Sequence, residues 1–234
     1  MNNEINNMIN IIKNKKYYGG IDNTLLSQMD MHIARENLSL FNRISKKHDS
    51  KPFLYFGTLL GLYRNGDLIG YDYDIDVGIL RENIDEFFDS FEELYKNGFK
   101  IVRIADFGCL ISFMRYGCYI DVYIANKVFS FCLKKSYYIG GAIIERPLVD
   151  NLVPFFFRGE AYWAPQEIEN NLIELYGEDW KVPKKNCPSK NSLALFDIKR
   201  TIIALVKVMV GHKIYEKCKR QLFRLYHSFD DFRA

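Results

Sequence analysis

Residues 55–80 read YFGTLLGLYRNGDLIGYDYDIDVGIL, and the interpretation of the whole chain depends on this stretch. Its acidic end places Asp72, Asp74 and Asp76 at every second position. Side chains along a β-strand alternate between two faces, so these three carboxylates are expected on one face. At roughly 5 Å, two such charges repel by about 3 kcal/mol when the effective dielectric constant is near 20. A cation that prefers oxygen ligands, Mg²⁺ or Mn²⁺, offsets that repulsion, so the pattern predicts a metal-binding strand.

The glycine-rich half of the same stretch predicts a phosphate-binding turn. Gly57 and Thr58 follow an apolar run, residues 53–56, that is typical of a strand. Glycine lets a phosphate approach the backbone, and a helix that begins near Thr58 offers unpaired N–H groups to an anion. Arg64 adds a planar guanidinium that can hold a phosphate oxygen. The stretch therefore predicts a phosphate cradle beside the metal-binding strand.

A further carboxylate, Asp121, lies in the segment Tyr119-Ile120-Asp121-Val122-Tyr123, with apolar residues on both sides. A charge inside a sheet is costly unless it is paired or bound to a metal. The residues alone leave two interpretations open: a carboxylate that completes a metal site, or an acid on an edge strand that faces water.

Hydrophobic periodicity predicts the elements around this stretch. The predicted helices are 23–48, 82–96 and 165–176. Runs rich in β-branched and aromatic residues predict an antiparallel meander, with one turn at Asn126-Lys127. Its predicted strands are 99–104, 109–114, 119–124 and 128–133. Residues 1–20 are expected to form a short helix or a frayed arm, and residues 134–165 show no regular pattern.

Length and charge indicate one domain with an appended tail. The chain has 234 residues and a net charge of +3, but residues 51–180 are acidic whereas residues 181–234 are basic. Two helices are expected in the tail, at 197–210 and 212–227. The tail has three open interpretations: a helix at an anionic membrane surface, a docking surface for an anionic glycan or partner, or a solvated face.

Composition also bounds the compartment and the partners. No run of 18 apolar residues and no secretory segment occurs, so we expect a cytoplasmic protein, whose basic tail would allow association with the inner face of the membrane. Five cysteines without a C-x-x-C pair argue against a disulfide framework or a zinc knuckle. No nucleic-acid partner is expected.

The ordered pattern G-T-L-L-G-x-x-R-x-G-x-x-I-x-x-D-x-D-I-D, residues 57–76, resembles the signature of the LicD/fukutin-related family. Residues 175–183 resemble the end of that family's conserved region, so the resemblance spans roughly residues 24–185. Members of the family transfer phosphocholine, or an alditol phosphate such as ribitol phosphate, from a CDP-linked donor to a sugar hydroxyl. This chain departs from the family at Gly70-Tyr71, where Pro-Trp is usual.

The resemblance implies an α+β fold over residues 1–185. Its core would be of the polymerase-β nucleotidyltransferase type, with a mixed or antiparallel sheet, flanking helices and a basic helical extension over residues 186–234. Asp74 and Asp76 are implied to hold Mg²⁺ or Mn²⁺, with Asp72 beside them. Asp121 is implied to complete the metal site and to take the proton of the acceptor hydroxyl.

The predicted function is therefore metal-dependent transfer from a CDP-linked donor to a sugar hydroxyl, with release of CMP. The acceptor would be a cell-surface glycan or a lipid-linked precursor, and Gly57, Thr58 and Arg64 would contact the donor phosphates. Two alternatives remain: a nucleotidyltransferase that releases pyrophosphate, and a D-x-D glycosyltransferase that uses a nucleotide-sugar. The second leaves Gly57-Thr58 and Asp121 unexplained. A non-catalytic binding module is disfavoured, because all the acidic positions are present.

Overall fold

A mixed β-sheet is the centre of the fold in the computed structural model, which describes residues 2–20, 28–129 and 135–183. Its strands, numbered β1 to β10 in chain order, are Tyr18–Gly19, Phe53–Leu54, Asp74–Leu80, Lys100–Ala105, Leu110–Arg115, Cys118–Phe129, Lys135–Ile139, Ala142–Glu145, Leu152–Phe157 and Glu160–Pro165. The helices, numbered α1 to α6, are Asn2–Lys13, Met31–Lys47, Phe56–Asn65, Ile84–Asp89, Phe91–Lys96 and Ile168–Tyr176. The predicted α+β class with a mixed sheet is confirmed.

The sheet combines antiparallel and parallel pairings. Strands β4, β5 and β6 form the predicted antiparallel meander. Strand β6 then runs parallel to β3, and β3 pairs antiparallel with β2. Strand β2 pairs parallel with β10, which forms a hairpin with β9, while β7 and β8 extend from the far end of β6. Strand β3 therefore has a neighbour on each side, in agreement with its buried apolar end at residues 77–80.

Helix α2 packs against the meander through aromatic contacts. The ring of Phe41 lies 5.9 Å, centroid to centroid, from the rings of both Phe99 and Phe113. Asp30 precedes the helix, and its side chain accepts hydrogen bonds from two backbone N–H groups of the first turn. Such a cap satisfies donors that have no partner inside the helix and fixes where the helix begins.

Two predicted boundaries differ from the structure. The helix predicted over 82–96 divides at Ser90 into α4 and α5. The turn predicted at Asn126-Lys127 is wrong, because β6 continues through both residues. Asn126 is buried, and its Oδ1 accepts a hydrogen bond of 2.8 Å from Arg81 Nε. That contact satisfies within a strand a residue type that otherwise favours turns.

Other predictions are confirmed in part or lie outside the described residues. The helix predicted over 23–48 is observed as Met31–Lys47, and residues 21–27 are not among those described. Residues 135–165, where no regular pattern is apparent, form β7 to β10. The predicted boundary at 185 and both predicted tail helices fall in residues 184–234, outside the described part. Among the described helices, none combines the length and the apolar character needed to cross a membrane.

Candidate active site

Four residues form a row across the sheet. Arg103 on β4 faces Ser112 on β5, Ser112 faces Asp121 on β6, and Asp121 faces Asp76 on β3. Residues directly opposite each other on neighbouring strands project from the same face of a sheet. The row therefore brings two carboxylates, a hydroxyl and a guanidinium to one line on that face.

The three carboxylates of the acidic run differ in backbone setting. Asp76 lies inside β3 and is only 7% exposed, and Asp74 is the first residue of the strand. Asp72 lies two residues before the strand, so it is not part of it as the alternation predicts. Its position is fixed through its own carbonyl, which accepts a hydrogen bond of 3.1 Å from the Met29 N–H. All three nevertheless lie close enough for their charges to interact.

The beginning of α3 contacts this run directly. The Gly57 N–H donates to Asp76 Oδ2 at 3.0 Å, and the Asp76 N–H donates to Thr58 Oγ1 at 2.7 Å. A Cβ added to Gly57 would lie 2.6 Å from Asp72 Oδ2 and 3.1 Å from Asp76 Oδ2. Only glycine fits there without moving a carboxylate. Thr58 is buried, and its hydroxyl oxygen holds the strand; contact of Gly57 or Thr58 with a phosphate stays a prediction.

Arg103 is the site residue that the sequence interpretation missed. Its Nη2 lies 2.6 Å from Asp121 Oδ2, and its Nε donates to Ser112 Oγ at 2.8 Å. Asp121 is 2% exposed, so the guanidinium supplies the positive charge that a buried carboxylate requires. The available signal was the same as for Asp121: a charged residue between apolar neighbours, Val102 and Ile104.

A β-bulge explains why that signal was easy to misinterpret. The pairing of β4 with β5 shifts between Ile101 and Arg103. Simple alternation would place Arg103 on the same face as Ile101, which is buried in the hydrophobic core. The extra residue, Val102, turns Arg103 to the opposite face, where it meets Ser112. Bulges commonly redirect a side chain in this way beside a functional site.

Burial raises the pKa of every carboxylate in the group. Desolvation, with added repulsion from Asp121 and Asp72, raises the pKa of Asp74 to about 7. Desolvation and the charges of its neighbours also raise the pKa of Asp76 well above its ordinary value. The pKa of Asp121 is raised by burial, and the nearby Arg103 opposes that increase. Four carboxylates that resist ionisation together form a site that gains from an added positive charge.

Two tyrosines border the acidic group. Burial, then the charge of Asp76, raises the pKa of both Tyr123 on β6 and Tyr176 at the end of α6. Arg64 lies at the far end of α3 from Gly57, where Nη1 donates to the Trp180 carbonyl at 3.3 Å. Its charge lowers the pKa of Tyr176, so Arg64 is a neighbour of that tyrosine, and its predicted contact with a phosphate stays a prediction.

The chemistry of the donors suits a hard divalent cation, because carboxylate oxygens are the ligands that Mg²⁺ and Mn²⁺ prefer. One buried oxygen, Asp121 Oδ1, has no hydrogen-bond partner. Across residues 2–20, 28–129 and 135–183, however, no three His, Cys, Asp or Glu side chains are grouped closely enough to hold an ion as they stand. Asp121 Oδ2 is engaged by Arg103 and Asp76 Oδ2 by Gly57. Binding of an ion therefore requires the carboxylates to move closer together.

The fold and the site define a transferase domain of the nucleotidyltransferase type. The sequence profile described as LicD/FKTN/FKRP, nucleotidyltransferase domain, matches residues 50–132. That segment contains β2, α3, β3 and the meander, and it belongs to the LicD/FKTN/FKRP nucleotidyltransferase domain family. No curated protein sequence matches the chain.

Solved structures with a similar arrangement include two antibiotic-modifying proteins. One is the lincosamide antibiotic adenylyltransferase LnuA with lincomycin bound; the match has 12% identity and a TM-score of 0.41 and covers 63% of this chain and 86% of that one. The other is the antibiotic-resistance factor ANT(2'')-Ia; the match has 15% identity and a TM-score of 0.44 and covers 86% of this chain and 100% of that one.

Proposed function

We propose that this protein is a divalent-metal-dependent transferase that moves phosphocholine or an alditol phosphate from a CDP-linked donor to a sugar hydroxyl, with release of CMP. The observation that supports it most is the register that sets Asp76 opposite Asp121, with Asp74 and Asp72 beside them. The family of residues 50–132 supports a nucleotide-activated donor.

The residues divide the chemistry as follows. Asp74, Asp76 and Asp121 would hold Mg²⁺ or Mn²⁺, with Asp72 as a further ligand or a residue that orients one. When bound, the ion would supply positive charge to the diphosphate and to the leaving CMP. The N–H groups at the beginning of α3 point a partial positive charge toward the same place, which favours an anionic donor. Arg64 would add charge from the other end of that helix.

Transfer would form one bond and break one. The acceptor oxygen bonds to the phosphorus that carries choline or the alditol, and the bond from that phosphorus to the bridging oxygen breaks. The bridging oxygen leaves with CMP. Asp121 Oδ1, which is buried without a hydrogen-bond partner, would accept the proton of the sugar hydroxyl. A raised pKa makes this carboxylate a stronger base than an exposed aspartate.

The acceptor would be a sugar of a surface glycan or of a lipid-linked precursor. We propose that the reaction takes place in the cytoplasm at the inner face of the membrane, because residues 181–234 are strongly basic and anionic lipids attract such segments. Co-sedimentation of the full chain with anionic vesicles, and none with neutral ones, is the expected result. Equal pelleting with both kinds of vesicle would contradict membrane association through this charge.

The test of the donor is calorimetric binding of CDP-choline, CDP-ribitol, CDP-glycerol, a UDP-sugar and ATP, each with and without Mg²⁺. We expect one CDP-linked donor to bind in a Mg²⁺-dependent way and the Asp74→Asn variant to lose that binding. A preference for ATP, with pyrophosphate released on turnover, would replace the proposal with nucleotidyl transfer. A preference for the UDP-sugar would replace it with glycosyl transfer.

A further inference from the structure

A cleft of about 300 Å³ lies between α2 and the β9–β10 hairpin. One wall is a stripe of α2 at helical spacing, formed by His32, Arg35, Glu36 and Ser39. The other wall carries Arg158 and Glu160. The sequence interpretation assigns this cleft nothing, and no residue of the acidic group lines it.

The walls of the cleft are held in place before any ligand arrives. The Ser39 hydroxyl donates to Glu160 Oε1 at 2.7 Å, and Asn42 Nδ2 donates to the Ala161 carbonyl at 3.0 Å. Arg158 and Gly159 form the tight turn of the hairpin, and both have positive φ, as in the two-residue turns that match strand twist. These contacts fix α2 to β10 and make the cleft a preformed site.

The lining of the cleft combines hydrogen-bonding groups with an apolar floor. Phe157 and Tyr162, which are 8% and 5% exposed, supply aromatic surface. Carboxylates accept hydrogen bonds and guanidinium groups donate them, and a hydroxyl does both. A ligand with many hydroxyls and an apolar C–H face matches such a lining, and about 300 Å³ suits one or two sugar rings.

Charge decides between a neutral and an anionic ligand. The two arginines of the lining, Arg35 and Arg158, are balanced by Glu36 and Glu160. Both arginines also lie near Asp67 Oδ2, at 2.6 Å and 3.6 Å. A diphosphate requires an excess of positive charge, which this lining does not have. The cleft therefore suits a neutral polyol and would not compete for the CDP-linked donor.

The cleft lies next to the acidic group through the first turn of α2. Met29 donates its N–H to the Asp72 carbonyl at 3.1 Å, and His32 follows three residues later. Three trans peptide steps span at most about 11 Å, so the edge of the cleft starts within that distance of the Met29 Cα. Arg35 also makes two hydrogen bonds to Asp67, in the loop that leads to Asp72.

We propose that this cleft is the acceptor site and binds the terminal sugar of a neutral glycan. The proposal depends on the proposed function for the word acceptor, but the binding of a sugar does not. A hydroxyl at the end of the bound sugar would extend past α2 toward Asp72, where the donor is expected.

Saturation-transfer NMR with the full chain tests this proposal. The probes are the methyl glycosides of glucose, galactose, N-acetylglucosamine and N-acetylgalactosamine, with inorganic phosphate as the anionic probe. We expect at least one glycoside to bind and to bind at least five-fold more weakly in Glu36→Ala and in Arg158→Ala. Both side chains are exposed, so the fold should be kept. The matched controls are Glu92→Ala and Lys96→Ala, an exposed pair on α5 away from the cleft.

Each outcome decides a separate point. Glycoside binding that is reduced by the cleft variants and unchanged in Asp76→Asn supports the proposal. Binding of none of the glycosides, equal binding in the cleft variants and the controls, or competition by phosphate overturns it. Calorimetry of the same samples with CDP-choline and Mg²⁺ keeps the two proposals apart. Donor binding without glycoside binding removes the cleft assignment alone, whereas glycoside binding without donor binding removes the proposed transfer and leaves a sugar site.

Discussion

Asp76 and Asp121 face each other on the parallel strands β3 and β6, and both are almost completely buried. Two buried carboxylates in register are unfavourable in a structure that serves packing alone. Arg103 compensates one of them from the far side of the row, through Asp121. Asp76 is held by the Gly57 N–H alone among the described groups that contact its side chain. The pair is therefore the part of the fold that a cation would stabilise most.

Replacing either central carboxylate by its amide should abolish transfer and keep the fold. In Asp74→Asn and Asp76→Asn the side-chain volume is nearly unchanged, and Asn retains an oxygen that can accept from the Gly57 N–H. Because the substitution removes charge repulsion, the melting temperature in EDTA should stay equal or rise. Circular dichroism melts and Mg²⁺-dependent calorimetry with CDP-choline measure the two effects.

Asp85→Asn is the matched control for these amides, since Asp85 is an aspartate whose side chain is 81% exposed on α4. It should retain both donor binding and activity. Full activity in Asp74→Asn or Asp76→Asn would remove those residues from the site.

The stability of the metal-free protein should depend on pH through Asp74. Its pKa is raised in the folded protein from 3.8 to about 7, so the folded state binds more protons than the unfolded state between these values. The free energy of unfolding therefore falls as the pH rises through this window. Asp74→Asn has no proton to lose, so its advantage over the wild type should grow from pH 5 to pH 8, to at most about 4 kcal/mol.

Urea denaturation in EDTA at pH 5, 6, 7 and 8 measures this difference between wild type and Asp74→Asn. Taking the difference removes the contribution of other titrating groups. A difference that is constant over this range would mean that Asp74 ionises as an ordinary exposed aspartate does.

Gly57→Ala should weaken Mg²⁺ binding. The added methyl group would lie 2.6 Å from Asp72 Oδ2 and 3.1 Å from Asp76 Oδ2, so it would separate the two carboxylates. We expect at least a ten-fold loss of Mg²⁺ affinity, measured by the Mg²⁺ dependence of donor binding. Gly70→Ala is the control, because a methyl group there meets nothing within 4 Å. Equal affinities in the two variants would show that the space beside Gly57 is not used.

Arg103→Gln should make the protein depend more strongly on a divalent cation. The variant leaves Asp121 buried without its positive partner, a change that typically costs about 3–5 kcal/mol. Its melting temperature in EDTA should fall, and the increase on adding Mg²⁺ should be larger than for the wild type. Arg81→Gln is the matched control, since Arg81 is a partly buried arginine that contacts Asn126 and Cys109. A Mg²⁺-induced increase equal to that of the wild type would separate Arg103 from the cation site.

The sequence predicts the local features of this site better than its long-range ones. The helix beginning next to Gly57 and the acidic start of β3 follow from glycine placement and alternation within one short stretch. The register between β3 and β6 depends on pairing between distant segments, so it required the resemblance or the structure. Arg103 was missed because one bulge reverses the alternation that the prediction relies on.

The fold shows the same division. The meander is predicted because each strand pairs with the next in sequence, and short turns mark its ends. Strands β2 and β10 pair although most of the chain separates them, and no local pattern indicates such a contact. The cleft beside α2 depends on this pairing, since β10 forms one of its walls. The acidic group could be located from sequence, and the cleft could not.

The parallel pairing of β3 with β6 has a kinetic consequence. Asp76 reaches Asp121 only after the chain between them has formed its helices and the meander, so the site is assembled late in folding. Closing that long loop costs chain entropy, and the last approach also brings like charges together. Divalent cations should therefore accelerate refolding as well as oppose unfolding. Nascent chains that end before β6 would have neither the site nor this acceleration.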